Sequence, residues 1–174
     1  MALVTFASEF DNTAVDFVAE FHPANTYLFQ NNVNYTSPQG RIYEDVLRIN
    51  WHDEPEYQAR WGGTGLAFNA TTKAFTAGTL TGLVAGNISG ATFTQELAVE
   101  GFSYSAVAFH TIATSASTVD DMDFVRSIFA GSDTFNLSLQ ADRADGYAGN
   151  HTLRGYAGND TLLGNTGNDW LDGG

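Results

Sequence analysis

A nine-residue period near the end of the chain is the feature that most constrains its fold. Residues 146–172 consist of three consecutive nonapeptides, GYAGNHTLR, GYAGNDTLL and GNTGNDWLD. Each nonapeptide has glycine at positions one and four, asparagine at position five and leucine at position eight. A fixed period of this kind is typical of a solenoid, in which every repeat is one structural unit that stacks on the next.

The period continues upstream with weaker matches. The segments IFAGSDTFN (128–136) and LSLQADRAD (137–145) keep the phase, although some of their glycines are replaced. The register therefore predicts two columns of side chains over residues 128–174, one polar at position six and one apolar at position eight. Position six holds Asp133, Asp142, His151, Asp160 and Asp169, and position eight holds Phe135, Ala144, Leu153, Leu162 and Leu171.

Each position has a physical role in such a repeat. A tight turn every nine residues requires backbone conformations with positive φ, which glycine adopts most readily, so we expect the glycines to form the turns. The apolar residue at position eight points inward from a very short strand and packs on its equivalents in the neighbouring coils. The aspartate presents a hard oxygen ligand, which together with backbone carbonyls suits the six to eight oxygen ligands of calcium.

These nonapeptides resemble those of the RTX (hemolysin-type) family of secreted calcium-binding proteins. The resemblance implies a parallel β-roll in which two nonapeptides form one coil and calcium lies between turns that are eighteen residues apart. It implies that Asp142 faces Asp160 on one edge of the roll, while Asp133, His151 and Asp169 form the column on the other. The implied metal ligands are four carboxylates and four turn residues acting through backbone oxygens: Asp133, Asp142, Asp160 and Asp169, with Gly155, Ala157, Gly164 and Thr166.

His151 departs from the carboxylate pattern. Neutral imidazole is a poor calcium ligand, so we expect the sites beside His151 to be weak, empty or formed by backbone oxygens. A transition-metal role for His151 is the less favoured alternative. Gly173 and Gly174 open a sixth repeat, which predicts that the β-roll is truncated in this chain.

Composition and charge narrow the class of protein. The 174 residues contain 7 Lys plus Arg against 20 Asp plus Glu, for a formal net charge of −13, and no cysteine. Such a chain has no basic patch for nucleic acid, and it has no thiolate metal site. The N-terminus has neither a basic nor an apolar signal region, and no apolar run reaches the length of a membrane span. The family resemblance implies secretion through a type I exporter, with folding coupled to extracellular calcium.

The remaining sequence predicts a mainly β protein with a β-rich N-terminal domain at 1–122. Phe10 to Phe21 has helical spacing of apolar residues and predicts a short amphipathic helix. Thr-, Phe- and Leu-rich segments separated by glycine and by the polar turn NATTK predict hairpins across 59–86. The segment SAVAFHTIATSASTVDDMDFVRSIFAG predicts a helical connector, with the boundary placed at 123–127 and the β-roll at 128–174.

Few residues outside the repeats are candidates for catalysis or metal binding. WHDEPEY at 51–57 brings together His52, Asp53, Glu54 and Glu56, which is either a metal loop or a solvated acidic turn. His22 is expected to close the first helix, and His110 is expected to be a core residue with its hydrogen bonds satisfied. No HExxH, GxSxG, P-loop or dinucleotide-binding motif is present, so whether the chain is an enzyme stays open.

Three functions remain compatible with these observations. The leading hypothesis is a non-enzymatic calcium-binding module of a secreted protein, whose N-terminal domain binds an extracellular glycan, a surface component or a sister chain. The first alternative makes the N-terminal domain a small secreted hydrolase. The second is haem capture by a hemophore-like fold that uses His22 and a loop tyrosine.

Overall fold

Short and long β-strands dominate the molecule, as predicted. The structure is a computed structural model that describes residues 2–6, 17, 21, 24–53 and 56–174. Thirteen strands are found in these residues: β1 (Leu3–Phe6), β2 (Thr26–Gln30), β3 (Tyr35–Thr36), β4 (Ile42–Tyr43), β5 (Asp45–Asn50), β6 (Tyr57–Asn69), β7 (Ala74–Ser89), β8 (Thr92–Ser105), β9 (Thr134–Asn136), β10 (Arg143–Asp145), β11 (Thr152–Arg154), β12 (Thr161–Leu163) and β13 (Trp170–Asp172).

The predicted helical connector is a pair of helices, α1 (Ala106–Ala113) and α2 (Thr118–Ile128). Each begins at a serine whose hydroxyl accepts a backbone N–H of the first turn, Ser105 for α1 and Ser117 for α2. Such N-caps satisfy donors that a helix leaves free at its start, which explains why the serine-rich stretch between them divides the connector in two. Neither of these helices, in the part of the chain that is described, has the length and hydrophobicity to span a membrane.

The helix predicted over Phe10 to Phe21 lies outside the described residues, apart from Phe17 and Phe21. Both of these phenylalanines pack on α1. The ring centroid of Phe17 lies 5.3 Å from that of Phe109, and the Phe21 centroid lies 6.1 Å from it. The apolar residues of the predicted stripe that can be described therefore face the core.

Nine of the described strands form one sheet in the order β13-β11-β9-β1-β8-β7-β6-β5-β2. The part from β8 to β2 is antiparallel, and its long strands β6, β7 and β8 are joined by the predicted hairpins. The turn between β6 and β7 contains Lys73 with φ 57°, and Gly90 with φ 61° turns β7 into β8. Residues with positive φ match the right-handed twist of the strands that such tight hairpins join.

Helices α1 and α2 cover one face of this sheet and form the main core with it. Trp61 on β6 is 1% exposed, and its ring centroid lies 4.2 Å from that of Phe109 on α1. Phe109 in turn lies 5.0 Å from Phe124 on α2. Aromatic side chains of this size contribute about 1.5–3 kcal/mol each when they are fully buried, so this cluster holds the helices on the sheet.

The small hairpin of β3 and β4 lies across the opposite face, which we call the outer face. The ring of Tyr43 occupies space that a side chain at Gly62 or Gly82 would fill, which explains why both strands carry glycine there. The Tyr43 hydroxyl donates to Oε1 of the buried Glu100 at 2.5 Å, and burial followed by this carboxylate raises the pKa of Tyr43. The hairpin is thereby fixed to β6, β7 and β8.

Strand β1 joins the antiparallel part of the sheet to the parallel part. Leu3 pairs with Glu100 of β8 in antiparallel register and with Thr134 of β9 in parallel register. The N-terminal sheet and the nonapeptide strands therefore form one continuous sheet. The division at 122 and 127 stays a prediction, and α2 runs through both of these positions to Ile128.

Candidate calcium-binding site

The nonapeptides stack with the predicted offset of eighteen residues. Strands β9, β11 and β13 pair in parallel so that Leu153 lies opposite both Phe135 and Leu171. On the other edge, β10 pairs with β12 and Ala144 lies opposite Leu162. Two nonapeptides thus form one coil, and alternate repeats lie on alternate edges of a parallel β-roll.

The position-eight column forms the interior of this roll. Phe135, Ala144 and Leu153 are each 0% exposed, and Leu162 is half-buried. Leu171 on β13 is 43% exposed. The predicted apolar column is therefore observed, and its burial decreases toward β13.

The glycines act differently at the two repeat positions. At position four, Gly158 has φ 133°, and a side chain there would overlap the backbone of Gln140 in the preceding coil. At position one, Gly155 does not have positive φ; the positive φ lies one residue later, at 66° in Tyr156. The expectation that both glycines supply the turn conformation is wrong for position one, where glycine is needed for close approach of another side chain.

One carboxylate oxygen of Asp160 and one of Asp169 link neighbouring coils. Asp160 Oδ1 accepts a hydrogen bond from the backbone N–H of Asp142 at 3.0 Å, and Asp169 Oδ1 accepts from His151 at 2.8 Å. These contacts confirm the predicted pairing along each edge. They leave the second oxygen, Oδ2, as the atom available to a cation.

The second oxygen of Asp160 is an unpaired buried acceptor. Asp160 Oδ2 is inaccessible to solvent and has no hydrogen-bond partner among the described residues. It lies against Gly155, where an added Cβ would overlap it, and the carbonyl oxygen of Gly173 lies 3.1 Å from the same Cβ position. We call this arrangement of Gly155, Asp160 and Gly173 the Gly155 site.

The Gly155 site fits a calcium ion. A buried carboxylate oxygen without a partner is unfavourable, and a cation relieves that cost. Calcium accepts carboxylate and backbone carbonyl oxygens in flexible geometry, which are the two ligand types that converge here. No three His, Asp or Glu side chains converge within the described part of the chain, so a calcium ion in the roll has to use backbone oxygens as well.

On the opposite edge, His151 takes the place that Asp160 has in the Gly155 site. Its Cδ2 lies 2.8 Å from the Cβ position of Gly146, and the carbonyl oxygen of Gly164 lies 3.1 Å from that position. The imidazole is 0% exposed, and its Nδ1 lies 3.6 Å from Asp133 Oδ2, too far for a hydrogen bond. An imidazole ring therefore occupies the space that the repeat otherwise gives to a carboxylate.

The other predicted ligands have specific surroundings. Asp142 Oδ2 accepts two hydrogen bonds from Ser138, one from the backbone N–H at 2.9 Å and one from the hydroxyl at 2.8 Å. The Thr166 carbonyl accepts from Gly149 N at 2.9 Å, and Ala157 is exposed. Asp169 Oδ2 lies against Gly164 as Asp160 Oδ2 lies against Gly155. All eight residues stay predicted ligands, with Asp160 and Gly155 in the arrangement best suited to the ion.

Sequence reasoning missed two residues of this region. The Gly173 carbonyl reaches the Gly155 site because it lies eighteen residues after Gly155, so the period itself carries the information that would have found it. Ser138 lies four residues before Asp142, a spacing that suits a local side-chain to backbone contact.

The N-terminal strand occupies the position of an additional coil below the first repeat. The backbone N–H of Ala2 donates to Asp133 Oδ1, and the backbone N–H of Thr134 donates to the Ala2 carbonyl at 3.0 Å. Asp142 makes the same two contacts with the coil above it, since its N–H donates to Asp160 Oδ1 and its carbonyl accepts from Thr161 at 2.8 Å. The backbone of Ala2 thus makes the hydrogen bonds of a position-six residue, although the surrounding sequence does not match the nonapeptide pattern.

The remaining candidates of the sequence do not join this site. His52 Nε2 lies 2.8 Å from Asp53 Oδ1 at an exposed turn, where Glu56 is also exposed; Glu54 and His22 lie outside the described residues. His110 packs edge-on against Phe21, with ring centroids 4.6 Å apart. Its buried Nδ1 has no partner in the described part, so the expectation of satisfied hydrogen bonds is wrong.

Taken together, the parallel coils, the buried apolar column and the Gly155 site define a calcium-binding β-roll. Residues 129–162 and 145–174 match the family model of the RTX calcium-binding nonapeptide repeat. The C-terminal part of the chain therefore consists of RTX repeats, which bind Ca²⁺, and the resemblance seen in the sequence is confirmed. Neither the curated proteins nor the solved structures contain a match to the chain.

Proposed function

We propose that this chain is a calcium-dependent binding module of a secreted protein, in which calcium completes the β-roll outside the cell and the N-terminal domain attaches to an extracellular glycan or surface component. The proposed calcium binding rests on Asp160 Oδ2, a buried oxygen that has no hydrogen-bond partner in the described part of the chain and lies, like the Gly173 carbonyl, against Gly155. The calcium-binding character of the repeats is established by their family, whereas secretion and attachment are proposals.

Coupling of folding to calcium follows from the electrostatics of the roll. Asp160 is desolvated in the folded state without a cationic partner, and the chain has a formal net charge of −13. Both effects oppose folding at low calcium. A bound divalent ion offsets both, and because the site forms only in the folded coil, its binding free energy adds to the stability of the roll.

Secretion is supported by the conditions under which such a roll is stable. Extracellular calcium-binding modules operate at about 10⁻⁴–10⁻³ M calcium, well above cytosolic levels. A chain that folds only outside remains unfolded during export. The lack of cysteine is compatible with this route, since no disulfide has to form on the way.

The attachment role of the N-terminal domain is supported by the outer face of the sheet. The β3–β4 hairpin covers one end of this face, and half-buried aromatic and arginine side chains lie beside the hairpin. Aromatic rings and arginines are the side chains enriched in recognition surfaces.

A calcium titration monitored by circular dichroism and differential scanning calorimetry tests the calcium part, with magnesium as the control ion. We expect a calcium-specific gain of β signal and a rise in Tm that continues with ligand concentration. Magnesium requires a stricter octahedral geometry and should have little effect. An identical response to both ions, or none to either, would contradict the proposal.

A further inference from the structure

Two arginines face each other on the outer face of the sheet. Arg48 of β5 is directly opposite Arg60 of β6 in the antiparallel register. The chain has only 7 Lys plus Arg, and like charges directly opposite one another destabilise a sheet. The facing of two of the chain's few cations is therefore a cost to stability that other contacts have to offset.

No carboxylate of the described residues neutralises this pair. The contacts within 4 Å between a basic side chain and a carboxylate in the described part involve His52, Arg126 and His151, and none involves Arg48 or Arg60. The Nε of Arg48 is buried without a hydrogen-bond partner there. Burial, followed by the charge of Arg60, lowers the pKa of Arg48. A bound anion would offset the repulsion between the two guanidinium groups.

Aromatic rings frame the two guanidinium groups. The guanidinium carbon of Arg60 lies 3.5 Å from the centroid of the Phe93 ring and 5.3 Å from that of Tyr35. Arg60 also donates to the Tyr35 hydroxyl at 3.0 Å, and Arg48 lies 6.0 Å from the Tyr35 centroid. Arg60 is thus held in one orientation, while Arg48 keeps an unused donor.

A row of amide and hydroxyl side chains extends from the arginines toward the β2 edge of the sheet. Gln58 accepts from Arg60 Nε at 2.6 Å and donates to Asn50 at 2.7 Å, and Asn50 donates to Thr26 at 3.2 Å. Gln58 is buried, whereas Asn50 is half-buried and Thr26 is exposed, so Asn50 and Thr26 are the members of the row that can bond sugar hydroxyls. Leu28 on the edge strand is 53% exposed beside Arg48 and offers an apolar contact.

We infer that this surface, which we call the Arg48–Arg60 face, binds an acidic glycan through the carboxylate of a uronic acid residue. Paired guanidinium groups suit a planar carboxylate, and the side chains of Asn50 and Thr26 bond the hydroxyls of the sugar ring. This inference rests on the attachment role proposed for the N-terminal domain and names the ligand class.

Calorimetric titration with tetragalacturonate tests the inference, and the methyl ester of the same oligosaccharide is the matched neutral ligand. Free calcium is held constant, and circular dichroism of the same samples reports the fold. We expect the acid to bind and the ester to bind at least about tenfold more weakly, because the ester cannot form charge-assisted hydrogen bonds. No binding of the acid, or equal binding of both ligands, would overturn the inference.

Single substitutions of the two arginines test whether the oligosaccharide binds at the Arg48–Arg60 face. Arg48→Gln and Arg60→Gln should each weaken tetragalacturonate binding about tenfold or more. Arg126→Gln should leave binding unchanged, because that exposed arginine pairs with Asp123 on α2. Unchanged binding in both outer-face variants would place the ligand elsewhere. Competition by sulfate at the concentration of the oligosaccharide would show a general anion site and overturn the assignment to a sugar acid.

The Tm of the ligand-free protein provides a second test, in which the Arg48→Gln substitution is expected to stabilise the protein although it weakens ligand binding. Removing one of two facing like charges should raise the Tm of ligand-free Arg48→Gln, whereas an arginine retained only for structure would lower it on substitution. A lowered Tm would therefore contradict the inference. Calcium-induced folding without oligosaccharide binding would overturn the Arg48–Arg60 face alone, while loss of both would overturn the proposed function as well.

Discussion

Val4 of the N-terminal strand lies directly opposite Phe135 of the first β-roll strand, and both side chains are 0% exposed. Val4 also lies opposite Val99 of β8 on its other side. A residue near the start of the chain therefore contacts both the antiparallel sheet and the interior of the roll. Because solenoid repeats are stabilised by their neighbours, β1 serves as the neighbour that the first repeat otherwise lacks.

Truncation of Val4 should destabilise the roll from its N-terminal side. We expect Val4→Ala to lower the free energy of unfolding by about 1–3 kcal/mol, from lost burial and the cavity left behind. The midpoint of calcium-induced folding should rise with it. Thr5→Ala, a change on the opposite side of the same strand, is the control. Equal calcium midpoints in the two variants would show that β1 does not support the roll.

Filling the Gly155 site should block the ion without straining the backbone. In Gly155→Ala, the new methyl group would overlap Asp160 Oδ2, and Gly155 does not have positive φ. We expect the calcium midpoint to rise about tenfold or more, since the ligand oxygen is displaced. Gly173→Ala is the matched control, because it keeps the backbone carbonyl that faces the site and its new Cβ meets nothing within 4 Å. The calcium titration followed by circular dichroism separates the two; similar shifts would contradict the assignment.

The two oxygens of Asp160 can be tested separately. Asp160→Asn keeps an oxygen that can accept from the Asp142 N–H and replaces the orphaned oxygen with an amide. Calcium affinity should fall about tenfold or more through loss of the charged ligand. His151→Ala removes no oxygen ligand and should change the midpoint less. If both substitutions gave the same calorimetric affinity, Asp160 would not be a ligand.

Replacing the imidazole by a carboxylate should strengthen the weaker edge. His151→Asp puts an acid in the column with Asp133 and Asp169, close to the Gly164 carbonyl that faces the His151 ring. We expect an additional calcium ion per chain, or about tenfold tighter binding of an existing one, in isothermal titration. An unchanged stoichiometry and affinity would show that this edge is not a calcium site.

His110 should make the fold sensitive to acid. Burial lowers its pKa below the ordinary value of 6.5, so the unfolded chain takes up a proton before the folded chain does. The free energy of unfolding should therefore decrease as pH falls below about 6.5 and stop decreasing, for this group, below the folded pKa. His110→Phe should reduce that slope in urea unfolding at several pH values. The exposed His52→Gln should retain it, and an equal slope in His110→Phe would rule out His110 as the cause.

The β-roll could be predicted because its determinants are local. The nine-residue register places Leu153 and Asp160 in their columns, and the family resemblance supplies the offset of eighteen residues between repeats that contact each other. The hairpins and the helical segment were also recognisable from glycine positions and apolar periodicity.

Long-range pairings could not be read from the sequence in the same way. The contact of Ala2 with Asp133 uses a backbone N–H, which any residue except proline provides. The juxtaposition of Arg48 and Arg60 depends on the register of β5 against β6, and a slip of one residue would send these side chains to opposite faces.

The position of β1 between β8 and β9 also affects the rate of folding. The hydrogen bond from Ala2 to Asp133 closes a separation of 131 residues. Loop-closure entropy grows slowly with length, but pairings this distant form late in folding. We expect a stopped-flow calcium jump to show a fast ion-dependent phase and a slower one that Val4→Ala alters, and a single fast phase would refute this. A calcium exposure shorter than the slow phase is therefore expected to leave the first repeat without its neighbour β1.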